Sequence, residues 1–438
     1  MSRDQSVLSP GQNVELSVEK PAAGGRMIAR HEGQVVLVSG AIPGERVLAR
    51  VERTERRLAF ASVVDVHEES PDRRAAFADS ACGGCVYSHI VYPRQLGLKA
   101  DIVRDAFLRL GRIPIDVPIP VAPSPERGYR MRARFHVDGT RFGFYREGTH
   151  ALCDASSAGQ VSDTALESVA SAVKTLAAAG ARIEWVELTE SVDGSERALA
   201  VAVDDVSPIA AGALAPLAAG SGLVGCAIQD RRSRVAEAGV PSVTDALSLL
   251  TRGRVPDGRL RRHAASFFQA NRFLVPDLLL AVMDAVIADG PVLDLYAGVG
   301  LFSIALAASG RRGVVAVEGD RMSGADLEWN ARDVSPAEAA PTVILESVER
   351  YLAAKQSASA RVATVIVDPP RTGISAEAMA ALVKRAISRI VYVSCDPATM
   401  ARDARRLLDG GYRLDSVRAF DLFPNTPHVE ALGVFSCA

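Results

Sequence analysis

Pro291-Val-Leu-Asp-Leu-Tyr-Ala-Gly-Val-Gly-Leu-Phe-Ser-Ile-Ala-Leu306 is the stretch on which the reading of the fold turns. It reads as strand, glycine turn and helix: a short apolar run, two glycines two residues apart, then a longer apolar run. The next strand, Val314-Val-Ala-Val-Glu318, ends in an acid. That acid lies about 20 residues beyond the first glycine, where a carboxylate takes ribose hydroxyls in a nucleotide-binding α/β unit. Gly298 and Gly300 are present, but Ser303 stands where a dinucleotide fingerprint has its third glycine. That third glycine serves close helix–strand packing. A ligand without a pyrophosphate, such as S-adenosylmethionine, fits this looser turn at least as well. A purely structural turn stays open as the alternative.

Working outward, strands are predicted at 342–346, 363–367 and 390–394, alternating with helices. Two more, at 412–422 and 429–436, close the pattern as an antiparallel, hairpin-like pair on a doubly wound α/β sheet. The strand at 363–367 runs into Asp368-Pro-Pro-Arg-Thr-Gly373, whose paired prolines force a rigid, extended backbone at the carboxyl edge of the sheet. The strand Ile390–Val393 stops at Ser394-Cys-Asp-Pro397. Pro397 suits the first turn of a following helix, with Asp396 as its N-cap. Cys395 is thereby expected at the carboxyl end of a strand, where open α/β sheets bind ligands and a helix N-terminus favours a thiolate. A lone cysteine is more often an inert core residue, so its neighbours decide its meaning.

Upstream, Val14–Val18, Gln34–Val38, Val47–Glu52 and Ala59–Val66 read as short strands separated by Gly24-Gly25, Gly33 and Pro43-Gly44. So many short strands in residues 1–68 predict a small OB-like barrel, an architecture that either binds RNA or is merely structural. Ser80-Ala-Cys-Gly-Gly-Cys-Val-Tyr-Ser-His89 carries one Cys-x-x-Cys pair, compatible with zinc, redox or cluster chemistry and specific for none. A helix is predicted over 91–112, with Leu96, Ile102, Val103, Phe107 and Leu110 as its apolar face. Beyond it, Arg130, Arg132 and Arg134 alternate along a predicted strand and share one face, with Phe135, Phe142, Phe144 and Tyr145 interleaved. A basic, aromatic sheet face fits RNA, or equally a solvated salt-bridged surface. Residues 160–250 are alanine-rich and show no chemistry. The expected division is a barrel at 1–68, an α+β RNA-binding unit at 69–255 and a catalytic unit at 256–438.

With 438 residues and a formal charge of −2, the chain does not announce a nucleic-acid binder, so any basic surface has to be local. Apart from Lys20, Lys99, Lys174, Lys355 and Lys384, its positive charge is arginine. Six scattered cysteines form no disulfide framework. With no apolar signal core and no run of membrane-spanning length, the expectation is a soluble, cytoplasmic monomer with no membrane partner.

Ser266-Phe-Phe-Gln-Ala-Asn271, Asp294-Leu-Tyr-Ala-Gly-Val-Gly300, Asp368-Pro-Pro-Arg-Thr-Gly373, Val393-Ser-Cys-Asp-Pro-Ala-Thr399 and Phe423-Pro-Asn-Thr-Pro-His-Val-Glu430 occur in this order. In that order and spacing the chain resembles the bacterial RNA 5-methyluridine methyltransferases. Residues 1–68 resemble a TRAM domain through Gly24-Gly25, Gly33-Gln-Val-Val36 and Gly40-Ala-Ile-Pro-Gly-Glu45. The resemblance implies S-adenosylmethionine as donor, uridine carbon-5 as acceptor, and RNA as partner, ribosomal rather than transfer RNA because of the TRAM segment. It places the nucleophile on Cys395 and the proton-abstracting base on Glu430. Cofactor contacts fall on Gln269, Tyr296, Glu318 and Asp368, joined by Asp294, Gly298 and Gly300 of the glycine turn. Asp396 replaces a common asparagine, and its carboxylate is expected to oppose a thiolate at Cys395. DNA amino-group methyltransferases place an aromatic after such a Pro-Pro; Arg371 here argues against an exocyclic amine as target. Many relatives hold a four-cysteine [4Fe-4S] cluster. Cys82, Cys85 and Cys153 match three of its ligands, but Ala76 stands where the first should be, so loss of the cluster is expected over a three-thiolate site completed by Asp79 or an outside ligand. The rival readings are a nucleotide-dependent oxidoreductase, a transfer-RNA enzyme, and a catalytically silent RNA-binding or assembly factor on the same fold.

Overall fold

The computed structural model describes residues 8–207, 222–354, 362–385 and 387–437. At the N-terminus the strands Asn13–Pro21, Met27–His31, Gln34–Ser39, Arg46–Glu55 and Leu58–Glu68 close into a barrel. Alternation drives it: Val14, Leu16 and Val18 point inward while their neighbours face solvent. Closure removes the sheet edges that so small a unit would otherwise expose. Its core does not stop at the last strand. Tyr87, Ile90 and Leu98, from the segment that follows, complete the apolar cluster.

The helix Tyr92–Ala106 comes next and ends in a wider π-type turn, Phe107–Gly111. Ile102, Val103 and Phe107 are buried as expected, but Leu110 is 55% exposed. The change of helical pitch at Phe107 rotates it off the apolar stripe. Gln95 and Lys99 are buried in its place on that stripe.

A seven-stranded sheet forms the middle of the molecule, in the order Val235–Gly239, Gly225–Asp230, Arg197–Val203, Ile183–Glu190, Arg132–Asp138, Arg141–Tyr145, Leu152–Asp154. The helix Asp163–Ala178 covers one face, packing Leu166, Val169 and Val173 on Phe135, Val186 and Leu188.

The C-terminal sheet has eight strands, in the order Thr342–Leu345, Val314–Glu318, Val292–Leu295, Thr364–Val367, Arg389–Ser394, Glu430–Cys437, Tyr412–Phe420, Val121–Ala122. The first five are parallel, and helices bury both faces in two large apolar clusters. The last strand of the chain slots between two earlier ones and is antiparallel to both. Its first residue, Glu430, consequently starts at the edge where the parallel strands end. This insertion builds the site. Among the described residues no helix is long and apolar enough to cross a membrane.

Candidate active site

Four parallel strands deliver Glu318 as a last strand residue and Tyr296, Asp368 and Cys395 just beyond their carboxyl ends, the edge at which open α/β sheets hold their ligands. Ser394 pairs with Ala431 at the end of the antiparallel ladder, so Cys395, the residue after one strand, and Glu430, the first residue of its neighbour, come opposite each other one step further on. The helix Pro397–Asp409 begins directly after Cys395, and Asp396 caps it, accepting from the Ala398 and Thr399 amides at 2.9 Å each. The Asp396 carboxylate is thus turned into the helix end rather than onto the sulfur.

Electrostatics around the sulfur run against the sequence expectation. Burial pushes the Cys395 thiol up to about 11, and the facing Glu430 carboxylate adds to the rise. The opposing group is Arg371, whose guanidinium hydrogen-bonds the sulfur and lowers its pKa. Arg371 had a sequence signal, the residue after Pro369-Pro370, but that position spoke only against another target there. Glu430 is 3% exposed, and its Oε1 has no hydrogen-bond partner among the described residues. Burial, then the nearby Asp368, raise its pKa well above the ordinary carboxylate value, with Arg371 again pulling the other way. Asp368 is lifted to about 7 by burial, and the Gln269 amide donates to it at 3.3 Å.

The glycine turn is built for close approach. Tyr296, Gly298 and Gly300 all take positive φ, 61°, 58° and 97°. Space around the Gly298 α-carbon is open, whereas a Cβ on Gly300 would lie 2.6 Å from Ile304 Cγ1 and 2.7 Å from Leu327 Cδ1. Glu318 accepts from the Gly298 amide at 2.7 Å, which folds the acid against the turn. Asp294 is fully buried and lifted to about 7 by that burial; one oxygen accepts from the Ser303 amide at 3.1 Å, and the other has no partner among the described residues. Ser303, read as a missing glycine, therefore donates its backbone to Asp294. A buried orphan oxygen, an open glycine and an acid held against the turn fit a nucleoside-bearing donor of the S-adenosylmethionine type.

On the other side of Cys395 lies a cleft of about 380 Å³. Arg371, Cys395, Pro397 and His428 line it from the C-terminal unit, Leu110 from the π-type turn, and Pro21–Gly24 from the barrel. His428 is held neutral, pushed down to about 4 by burial and then by Arg371.

The three arginines read as one basic face are more constrained than alternation implied. The strand begins at Arg132, and Arg130 lies before it, bonding Gln160 Oε1 at 2.8 Å and stacking over Phe144 and Phe423. Arg132 and Arg134 do share a face, but both pair with the buried Glu187; Arg134, 52% exposed, also covers Trp185. Cys82, Cys85 and Cys153 come together, with the Cys82 thiol in hydrogen-bonding reach of both partners. Ala76 is exposed, and the nearby Asp79 is tied to Arg146 at 2.9 Å. Among the described residues no set of three or more His, Cys, Asp or Glu side chains is arranged to hold a metal ion. The residues present do not complete a four-thiolate cluster site.

The parallel strand order, the glycine turn and the acid after the second strand define an S-adenosylmethionine-dependent methyltransferase. Within that class the chain belongs to the RNA uracil-5 methyltransferase family. Residues 247–437 match the family model described as tRNA (uracil-5-)-methyltransferase, and residues 8–64 match the TRAM domain. The 23S rRNA (uracil(1939)-C(5))-methyltransferase RlmD of Pseudomonas putida is 31% identical over 97% of this chain and 94% of its own length. Its namesake in Pseudomonas entomophila is 32% identical over 97% of this chain and 94% of its own. Pyrococcus abyssi tRNA (uracil-54, C5)-methyltransferase, solved with S-adenosyl-L-homocysteine, shares the fold: TM-score 0.71, 23% identity, 96% of this chain and 99% of that one.

Proposed function

We propose that this enzyme methylates carbon-5 of a uridine in 23S ribosomal RNA, with Cys395 as nucleophile and Glu430 as base. The supporting observation is the ladder register that sets Cys395 opposite Glu430 at the carboxyl edge of the sheet. The ribosomal target rests on the names of the near-full-length relatives.

Carbon-5 of uracil is too weak a nucleophile to take a methyl group unaided. The Cys395 thiolate adds to carbon-6, forming a C–S bond and moving the ring electrons toward carbon-5. Arg371 keeps part of the buried thiol ionised for that attack. S-Adenosylmethionine supplies the methyl group, held by Asp294, Gly298, Gly300, Glu318, Tyr296, Gln269 and Asp368. Glu430 then takes the proton from the methylated carbon-5, and the electrons of that C–H bond restore the double bond as the C–S bond breaks. Its buried setting makes Glu430 a stronger base than a surface carboxylate. The uridine reaches the sulfur only when turned out of its stack, so a loop or bulge is the substrate.

Cys395→Ala abolishes both methyl transfer and the covalent RNA adduct on a denaturing gel; surviving turnover overturns the mechanism. Purified protein offered 23S and transfer RNA separately methylates the ribosomal RNA. Uridine mapping in RNA from cells lacking the protein identifies the position.

A further inference from the structure

We infer that Arg74, Gln95 and Asn425 form a clamp that positions Glu430 for proton abstraction; this rests on the reading of Glu430 as the base. The segment that leads into Glu430 runs from Asp421 to Val429, between two strands, and has no regular structure, so its path has to be fixed from outside. Asn425 is where it is held. Its φ is +65°, a left-handed conformation that asparagine tolerates better than most residues, and it is 2% exposed. Its side-chain oxygen accepts from Gln95 Nε2 at 2.9 Å and from Arg74 Nη2 at 2.8 Å. Its backbone amide donates to Gln95 Oε1 at 2.8 Å, and its carbonyl accepts from the Tyr87 amide at 2.8 Å. Gln95 and Asn425 are 330 residues apart in sequence, and Gln95 is fully buried.

The partners are themselves anchored. Gln95 Nε2 also donates to the Ile90 and Tyr87 carbonyls at 2.9 and 3.1 Å, and Arg74 forks onto Glu126 at 2.5 and 3.2 Å. Two residues past Asn425, Pro427 packs against the barrel turn, since a Cβ on Gly25 would come within 3.0 Å of it. Glu430, whose Oε1 has no hydrogen bond of its own among the described residues, takes its aim from the backbone that leads into it. A carboxylate with one oxygen unheld loses reach when the backbone before it shifts, and a misplacement near 1 Å can reduce a rate by about a hundredfold. Arg74, Gln95 and Asn425 are thus positioning residues, acting through Glu430.

Asn425→Gly tests this, because glycine keeps the left-handed backbone and removes only the side-chain acceptor. The methylated but unreleased RNA–protein adduct should accumulate in Asn425→Gly, as in Glu430→Gln, with kcat down roughly tenfold to a hundredfold. S-Adenosylmethionine affinity by calorimetry should stay within about twofold of the parent. Asn425→Asp, which retains both acceptor contacts, should restore turnover. If Glu430→Gln traps the methylated adduct and Asn425→Gly does not, the clamp is wrong and the base assignment stands. If Glu430→Gln traps no methylated adduct, the base assignment fails and the clamp with it. Equal loss of cofactor binding and turnover in Asn425→Gly also overturns the clamp, because it marks general loosening rather than a misaimed base.

Discussion

Burial and the Glu430 carboxylate oppose ionisation of Cys395, and Arg371 promotes it. The signs give paired outcomes for two single substitutions. Arg371→Gln removes the cation, so the thiol pKa rises above its already elevated value of about 11 and less thiolate is present at neutral pH. Glu430→Gln removes a negative neighbour, so the pKa falls and more thiolate is present. Iodoacetamide alkylation of Cys395, followed by peptide mass spectrometry across pH, should therefore be slower than the parent in Arg371→Gln and faster in Glu430→Gln. Both should lose turnover, one for want of nucleophile and the other for want of base. A uniform change in both would mean that access, not charge, sets the reactivity of the sulfur.

At the scale of the element, the two glycines of the donor turn separate binding from folding. Gly298 has open space where a Cβ would go, so Gly298→Ala adds mainly the strain of φ at 58°, on the order of 1–2 kcal/mol, and crowds the ligand side. Gly300 has φ at 97°, and its added methyl would meet Ile304 and Leu327 within the core. Gly298→Ala should weaken S-adenosylmethionine binding in calorimetry while melting near the parent; Gly300→Ala should lower the melting temperature outright. This turn was legible in the sequence because strand, glycines and helix are contiguous, and the barrel because alternation is local. The strands Arg197–Val203 and Gly225–Asp230 were not, being buried on nearly every residue and so without a period to read. Cys395 and Glu430 were named through motifs, but what joins them is an antiparallel register made by the last strand, which spacing does not carry. Gln95 and Lys99 left a trace that apolar periodicity passes over: two polar residues, four apart, on the buried stripe of one helix.

Across the whole molecule, the segment between the barrel and the central sheet ties the units together, and Lys99 is its deepest anchor. Lys99 and Asp421 are both fully buried and paired, and Lys99 also donates to the Phe423 carbonyl at 3.0 Å. Burial lowers the pKa of Lys99 and raises that of Asp421, so it opposes ionisation of both groups; each favours the charged form of the other, with Tyr92 and the Phe423 amide adding to the effect at Asp421. Such a pair adds little net stability over an apolar replacement, yet removing one member strands the other charge. Lys99→Met should lower unfolding free energy in urea by about 3–5 kcal/mol, leaving Asp421 buried without its cation. Lys99→Met with Asp421→Leu should recover most of that loss. The double variant should still turn over more slowly than the parent, because the Phe423 carbonyl then keeps only its local donors on Thr426 and loses its tie to the helix Tyr92–Ala106 at the head of the segment leading to Glu430. Full recovery of both stability and turnover would show that the pair only fills space between the helix Tyr92–Ala106 and the C-terminal sheet. Recovery of stability alone would show that the first hundred residues help to set the geometry of a base near the end of the chain.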